Sequence, residues 1–187
     1  IAAERSIYRH VGNLFWGAGT SSVGAPAAAA AWYFAEGLVN PIFDTYLLLL
    51  NPGDTAADVS IEVLRAGGLP PLVIERSVQP RTRHTVHLND AHPALAADTS
   101  FGLTVRSTNG VPIVAERTMW WDDPVRGTPW VEGHTSVGAT APATRWTGGA
   151  QWLSGAAGSA VAYLLIANPG DTTATVRPAS GAAPGSG

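Results

Sequence analysis

The stretch that decides the fold is "IVAERTMWW", Ile113 to Trp121, because "IAAERSIYR", Ile1 to Arg9, echoes it at an offset of 112 residues. Trp16 in "WGAGTSSVGA" matches Trp130 in "WVEGHTSVGA" at 114, and Trp32 matches Trp146 at the same 114. "TYLLLLNPGDT" from Thr45 returns as "AYLLIANPGDT" from Ala162, at 117. Four blocks recur in one order, with offsets drifting as loop insertions make them drift. A period of roughly 114 residues is too long for a solenoid unit and suits a tandem domain with its own core.

Within that period the pattern is β. "DVSIEVLRA" sets Val59, Ile61 and Val63 against Ser60 and Glu62, and "SFGLTVRST" sets Phe101, Leu103 and Val105 against Gly102, Thr104 and Arg106. Period-two alternation of this kind predicts half-buried strands. "TYLLLLN" and "AYLLIAN" are apolar at odd and even positions alike, which predicts central strands covered on both sides. Each runs into Asn-Pro-Gly-Asp, read as a type II turn with Gly53 or Gly170 at positive φ. Asn109-Gly110 between two strand patterns predicts a two-residue type I′ hairpin. "LPPLVIERSVQP", bounded by Pro70, Pro71 and Pro80, predicts an edge strand. Only "NDAHPALAAD", Asn89 to Asp98, has room for a helical turn.

The expected fold is all-β: an Ig-like antiparallel β-sandwich, in about 1.6 tandem repeats. Residues 1–31 would be late strands of one unit, 32–145 a complete sandwich, 146–177 early strands of a further unit, and 178–187 ("PASGAAPGSG" from Pro178) a flexible tail. Strands at either end would then lack partners within the chain. Head-to-tail strand complementation between chains would supply them, and the alternative is a piece of a longer array.

Composition narrows the function classes. Charged residues are 13% of 187, the formal net charge is −3, and all eleven basic residues are Arg with no basic run. That argues against a nucleic-acid or anionic-membrane surface. The longest apolar run, "AAAAAWYFA", is too short to span a bilayer, so no membrane insertion is expected. Glu4 and Arg5 fall where a signal peptide would build its apolar core. With no cysteine, disulfides, thiol nucleophiles and Cys-bound zinc are excluded.

Catalytic signatures are weak, and no enzyme, catalytic residue, metal site or cofactor is expected. His84 and His87 are an odd number apart on a strand and face opposite ways, so with His92 and Asp90 they read as surface polar groups. "GHTSVG" lacks the Gly-x-Ser-x-Gly spacing of a nucleophile elbow, having His134 two places before Ser136. Glu4-Arg5 and Glu116-Arg117 recur in both copies, which favours charges that set strand register or meet a neighbouring unit. Trp120, Trp121 and Trp130 belong to a set of seven tryptophans. Their structural reading is core or interface packing, and their functional one is a sugar-binding platform.

The blocks "WYFAEGLVNPIFDTYLLLLNPGDT", "STNGVPIVAERTMWW" and "GHTSVGATAPATRW" resemble the "WYFAEG" tandem repeats of large secreted bacterial surface proteins, whose function is uncharacterised. The resemblance covers Ile1 to about Val176 and implies an extracellular β-sandwich array at the cell surface. It brings no catalytic residues. The second copy departs from it, with "TGGAQWLSG" after Trp146 where the first has "YFAEG". The function expected is a non-enzymatic module of a surface stalk, sheath or filament whose partners are copies of itself or adjacent repeats. The alternative is a glycan- or cell-wall-binding adhesin module.

Overall fold

The computed structural model describes residues 1–11, 14–95, 99–123, 127–147, 154–155, 158–159 and 163–177. The strands, in chain order, are β1 (Glu4–Val11), β2 (Leu14–Val23), β3 (Ala31–Phe34), β4 (Leu38–Val39), β5 (Phe43–Asn51), β6 (Ala57–Arg65), β7 (Leu72–Val78) and β8 (Thr82–His87). A single helical turn, α1 (Leu88–Ala91), and a 3₁₀ turn, Pro93–Leu95, follow β8, where the sequence left room for them. Then come β9 (Thr99–Ser107), β10 (Val114–Asp123), β11 (Thr128–Val137) and two short strands, β12 (Ser154–Gly155) and β13 (Gly158–Ser159).

Two antiparallel sheets form the body. One runs β3-β9-β6-β7 with β4 also on β9, and the other runs β11-β10-β5-β8. The apolar sets of the two sheets meet in one core. Val59, Ile61 and Val63 of β6 and Leu103 and Val105 of β9 lie with Leu47 and Leu49 of β5, Val86 of β8 and Ala115 of β10. Trp32 is buried to 1% exposure, and its indole N–H donates to the Ile113 carbonyl (2.8 Å), stitching the entry of one sheet to the other. Strand alternation read from sequence therefore places the core correctly, and β7 is an edge strand as its flanking prolines require.

Three local expectations fail for physical reasons. Asn109-Gly110 closes no hairpin: β9 and β10 belong to different sheets, and the turn carries the chain across the sandwich. Gly110 has φ 77°, but Asn109 stays out of the left-handed region that type I′ demands. The Asn109 side chain instead donates to the Ala56 carbonyl (2.9 Å) and accepts from the Asp58 N–H (3.2 Å), tying the crossover to β6. The Asn-Pro-Gly-Asp turns are not type II, since neither Gly53 nor Gly170 has positive φ. An asparagine side chain closes them: Asn51 Oδ1 accepts from Gly53 N–H (3.0 Å), and Asn168 Oδ1 accepts from Gly170 N–H (3.1 Å). Finally β5 is central but covered fully on one side only; Leu47 and Leu49 are fully buried, while Leu50 is 40% exposed.

The second copy of that strand diverges further. Residues 163–169 form no strand, and Tyr163, Leu164, Leu165 and Ile166 are exposed. The tail at 178–187 lies outside the described residues. At the other end, β1 and β2 make a separate hairpin with register Arg5↔Ser22 and Ile7↔Thr20. It repeats that of β10 and β11, where Arg117↔Ser136 and Met119↔His134.

Candidate functional site

Four polar residues, Glu36, Arg117, His134 and Ser136, converge where β3 leaves its sheet, and of these only Arg117 and Ser136 recur in the other copy, as Arg5 and Ser22. Phe34 is buried, and the next residues, Ala35 to Gly37, turn outward before β4. Gly37 packs directly against the Phe101 ring, leaving no room for a side chain there. The turn thereby aims Glu36 at β10, on which Arg117 points inward with its side chain only 2% exposed.

Arg117 is the hub. Its Nη1 donates to the Glu36 carboxylate (2.6 Å) and to the Glu36 carbonyl (2.9 Å). Its Nη2 donates to His134 Nδ1 (2.8 Å) and Ser136 Oγ (3.2 Å) on β11. Burying a guanidinium is tolerable only when its charge and N–H groups find partners, and here the turn after β3 and the strand β11 supply them. Nε is the exception, buried without a protein partner. Burial, with the Arg117 charge second, lowers the His134 pKa below its ordinary value; Glu36 opposes that shift more weakly. A neutral imidazole accepting at Nδ1 carries its proton on Nε2.

A shallow open cavity of about 260 Å³ lies over this knot, lined by Tyr33, Glu36, Arg117, His134, Ser136 and Leu165 among others. Its chemistry is self-contained. The cationic group is neutralised by its own carboxylate, and Ser136 and His134 both accept from Arg117 rather than pairing with each other. Among the described residues, no group of three or more His, Asp or Glu could hold a metal. His87 is held between Asp44 (2.8 Å) and Asp90 (2.7 Å) and stacks on Tyr46, while His92 accepts from the Ala94 N–H at a turn.

The structure separates the two recurring Glu-Arg pairs. Arg117 turns into the knot, whereas Glu116 faces the β1–β2 hairpin and lies 2.6 Å from Arg5 Nη2. Arg5, on the other copy, thus reaches the glutamate next to its own counterpart. Nearby, the Thr135 N–H donates to Thr20 Oγ1 (2.9 Å), and β2 runs beside β11. The Arg5–Glu116 contact is close but outside hydrogen-bond geometry, and Arg5 Nε, Arg5 Nη2 and Ser22 Oγ are buried without a hydrogen-bond partner. Glu4, the counterpart of Glu116, is exposed.

The tryptophans divide. Trp120 is 7% exposed, with its ring packed over Gly133, so it is closed to a sugar and the platform reading fails at this position. In the other hairpin Tyr8 sits over Gly19 in the same way, an aromatic covering a cross-strand glycine in both copies. Trp121 is half-buried and stacks on Phe43 at 5.6 Å. Trp130 lies on β11, and its side chain is outside the described part of the structure. Sequence reasoning missed Glu36, His134 and Ser136 as partners of Arg117. The available signal was that the Glu-Arg, Gly-His-Thr-Ser and Ala-Glu-Gly blocks belong to one repeat.

No family model matches the chain, and no curated protein does. Among solved structures it is similar to Thermotoga maritima 1070, with 19% identity, a TM-score of 0.51, and coverage of 60% of this chain and 94% of that one. This likeness concerns the fold alone. The Anabaena sensory rhodopsin transducer, at 26% identity, covers 50% of this chain and 91% of its own with a TM-score of 0.43, too low to weigh.

Proposed function

We propose that this chain is a non-enzymatic structural module of a bacterial surface stalk, sheath or filament. In this reading it is built from Ig-like sandwich repeats of roughly 114 residues and joined head-to-tail to further copies outside the cell. The observation that carries the reading is the Arg5–Glu116 contact, which links the hairpin of one repeat copy to the equivalent hairpin of the next. The knot around Arg117 supports it as well, since its Nη groups are committed to Glu36, His134 and Ser136 within the fold. The extracellular setting rests on the resemblance to the "WYFAEG" surface repeats.

Size-exclusion chromatography with light scattering, and negative-stain micrographs across a concentration series, test the reading. Concentration-dependent linear oligomers are expected. A species that stays monomeric at the highest concentrations overturns it.

A further inference from the structure

The cavity over the Arg117 knot is lined by polar groups whose bonding capacity the knot does not use up. His134 Nδ1 accepts from Arg117, so its Nε2–H remains a donor, on a side chain that is 55% exposed. Ser136 Oγ accepts from Arg117 Nη2 and keeps its own O–H to give. Glu36 meets Arg117 through Oε2, which leaves Oε1 as an acceptor. Arg117 Nε, on a side chain only 2% exposed, is buried without a partner. Half-buried Tyr33 adds a ring to the wall, with Arg106 Cζ 5.3 Å from its centroid, and Leu165 adds an apolar flank.

We propose that this cavity binds one pyranose ring of a neutral glycan, with Glu36, His134 and Ser136 holding its hydroxyls and Tyr33 packing on its C–H face. Charge selects the class of ligand. The Arg117 guanidinium and the Glu36 carboxylate cancel, so neither an anion nor a cation is favoured. A purely apolar ligand would strand the donors and the acceptor. A hydroxyl donates and accepts at once, so adjacent sugar hydroxyls give to Glu36 Oε1 while receiving from His134 Nε2 and Ser136. The volume, about 260 Å³, falls just below the ~300–1,000 Å³ of clefts for drug-sized ligands and suits a single sugar ring. This site is distinct from the tryptophans, and the repeat separates it from the shared framework. Arg117 and Ser136 return as Arg5 and Ser22, but at an offset of 114 Thr20 stands for His134, Thr147 for Tyr33 and Ala150 for Glu36. The knot's arginine and serine are common to the copies, whereas the groups offered to a sugar belong to this unit.

The test is heteronuclear NMR of the whole chain, titrated separately with methyl glucoside, methyl mannoside and the methyl glycoside of N-acetylglucosamine. Tetrahydropyran, the same ring without hydroxyls, is the control. At least one glycoside is expected to shift the His134 ring signals and the Glu36 and Ser136 amides saturably, with a Kd on the order of 1 mM for so shallow a site. Tetrahydropyran is expected to leave them in place. Tyr33→Leu and His134→Gln should each raise the Kd by about fivefold or more, with the circular dichroism spectrum checking that each variant folds. If no glycoside gives saturable shifts, if tetrahydropyran moves the same signals equally, or if both folded variants bind as the wild type does, the site is wrong. The wild-type titrations decide even where a variant fails to fold. Assembly is a separate readout: a chain that stays monomeric yet binds sugar overturns the proposed module and keeps this site, and an assembling chain that binds none does the reverse.

Discussion

Glu36→Ala tests whether the knot around Arg117 holds the sandwich together. The substitution removes the carboxylate 2.6 Å from a guanidinium that is 2% exposed, and leaves the Glu36 carbonyl, His134 and Ser136 as acceptors. Breaking a fully buried ion pair costs about 3–5 kcal/mol, while exposed pairs are worth about 0–1 kcal/mol. The Glu36 side chain is 34% exposed, so solvent screens its half of the pair and the expected loss is about 2–3 kcal/mol. With a urea m-value of about 1.5–2 kcal/mol/M, the unfolding midpoint falls by about 1–2 M. Arg117→Met removes the charge and keeps the bulk, so the Glu36→Ala/Arg117→Met pair should lose less than the two singles added together. A coupling of about 1.5 kcal/mol or more is expected, measured by urea denaturation at dilute concentration. A Glu36→Ala loss under about 0.5 kcal/mol, or additivity within that margin, refutes the reasoning and makes the knot an ordinary surface pair.

Leu47 and Leu164 hold the same place in two copies of one motif, but only Leu47 is buried, at 0% against 69% exposure. Leu47→Ala should cost about 2–5 kcal/mol and Leu164→Ala less than about 0.5 kcal/mol, compared by thermal and urea unfolding of the dilute chain. His134 gives a pH signature. Its pKa is lowered in the fold, so between that value and the ordinary 6.5 the unfolded chain binds more protons. Stability is therefore fully present above 6.5 and falls with acidification towards the lowered pKa; His134→Asn should flatten that slope in urea midpoints measured from pH 7 to 5. An unchanged slope would remove His134 as its source. Gly133→Ala would place a Cβ 2.6 Å from the Trp120 ring, so a loss of about 1–3 kcal/mol is expected, with a shift in tryptophan fluorescence. No loss would mean that the ring moves aside freely.

Much of the fold is legible in the sequence because its causes are local or periodic. Alternation at Val59, Ile61 and Val63 identifies an inward face, and all three are fully buried. The site is far less legible. Glu36 and Arg117 lie 81 residues apart, and nothing in either segment says which carboxylate the guanidinium meets. Glu-Arg was readable as a recurring pair, but its two members serve different contacts, with Arg117 inside its own unit and Glu116 facing the other copy's Arg5. Asn109-Gly110 misled because the same dipeptide that reverses a chain within a sheet can carry it between sheets. Its side-chain bonds to the β6 region decide which happens.

The two Tyr-Leu-Leu motifs separate what each level decides. Asn-Pro-Gly-Asp makes the same turn at 51–54 and 168–171, with the same asparagine bonds to the residues two and four places on. The bonds that the two turns share are settled by the sequence alone, because their partners lie within four residues, while Asn51 Nδ2 adds a bond to the distant Val78 carbonyl. The strand before it is not. Phe43–Asn51 is a strand because β10 and β8 flank it and accept its backbone groups, and the same pattern at 163–168, lacking such neighbours among the described residues, forms none. A turn completes its own hydrogen bonds; a strand must borrow them, and only the tertiary structure decides from whom.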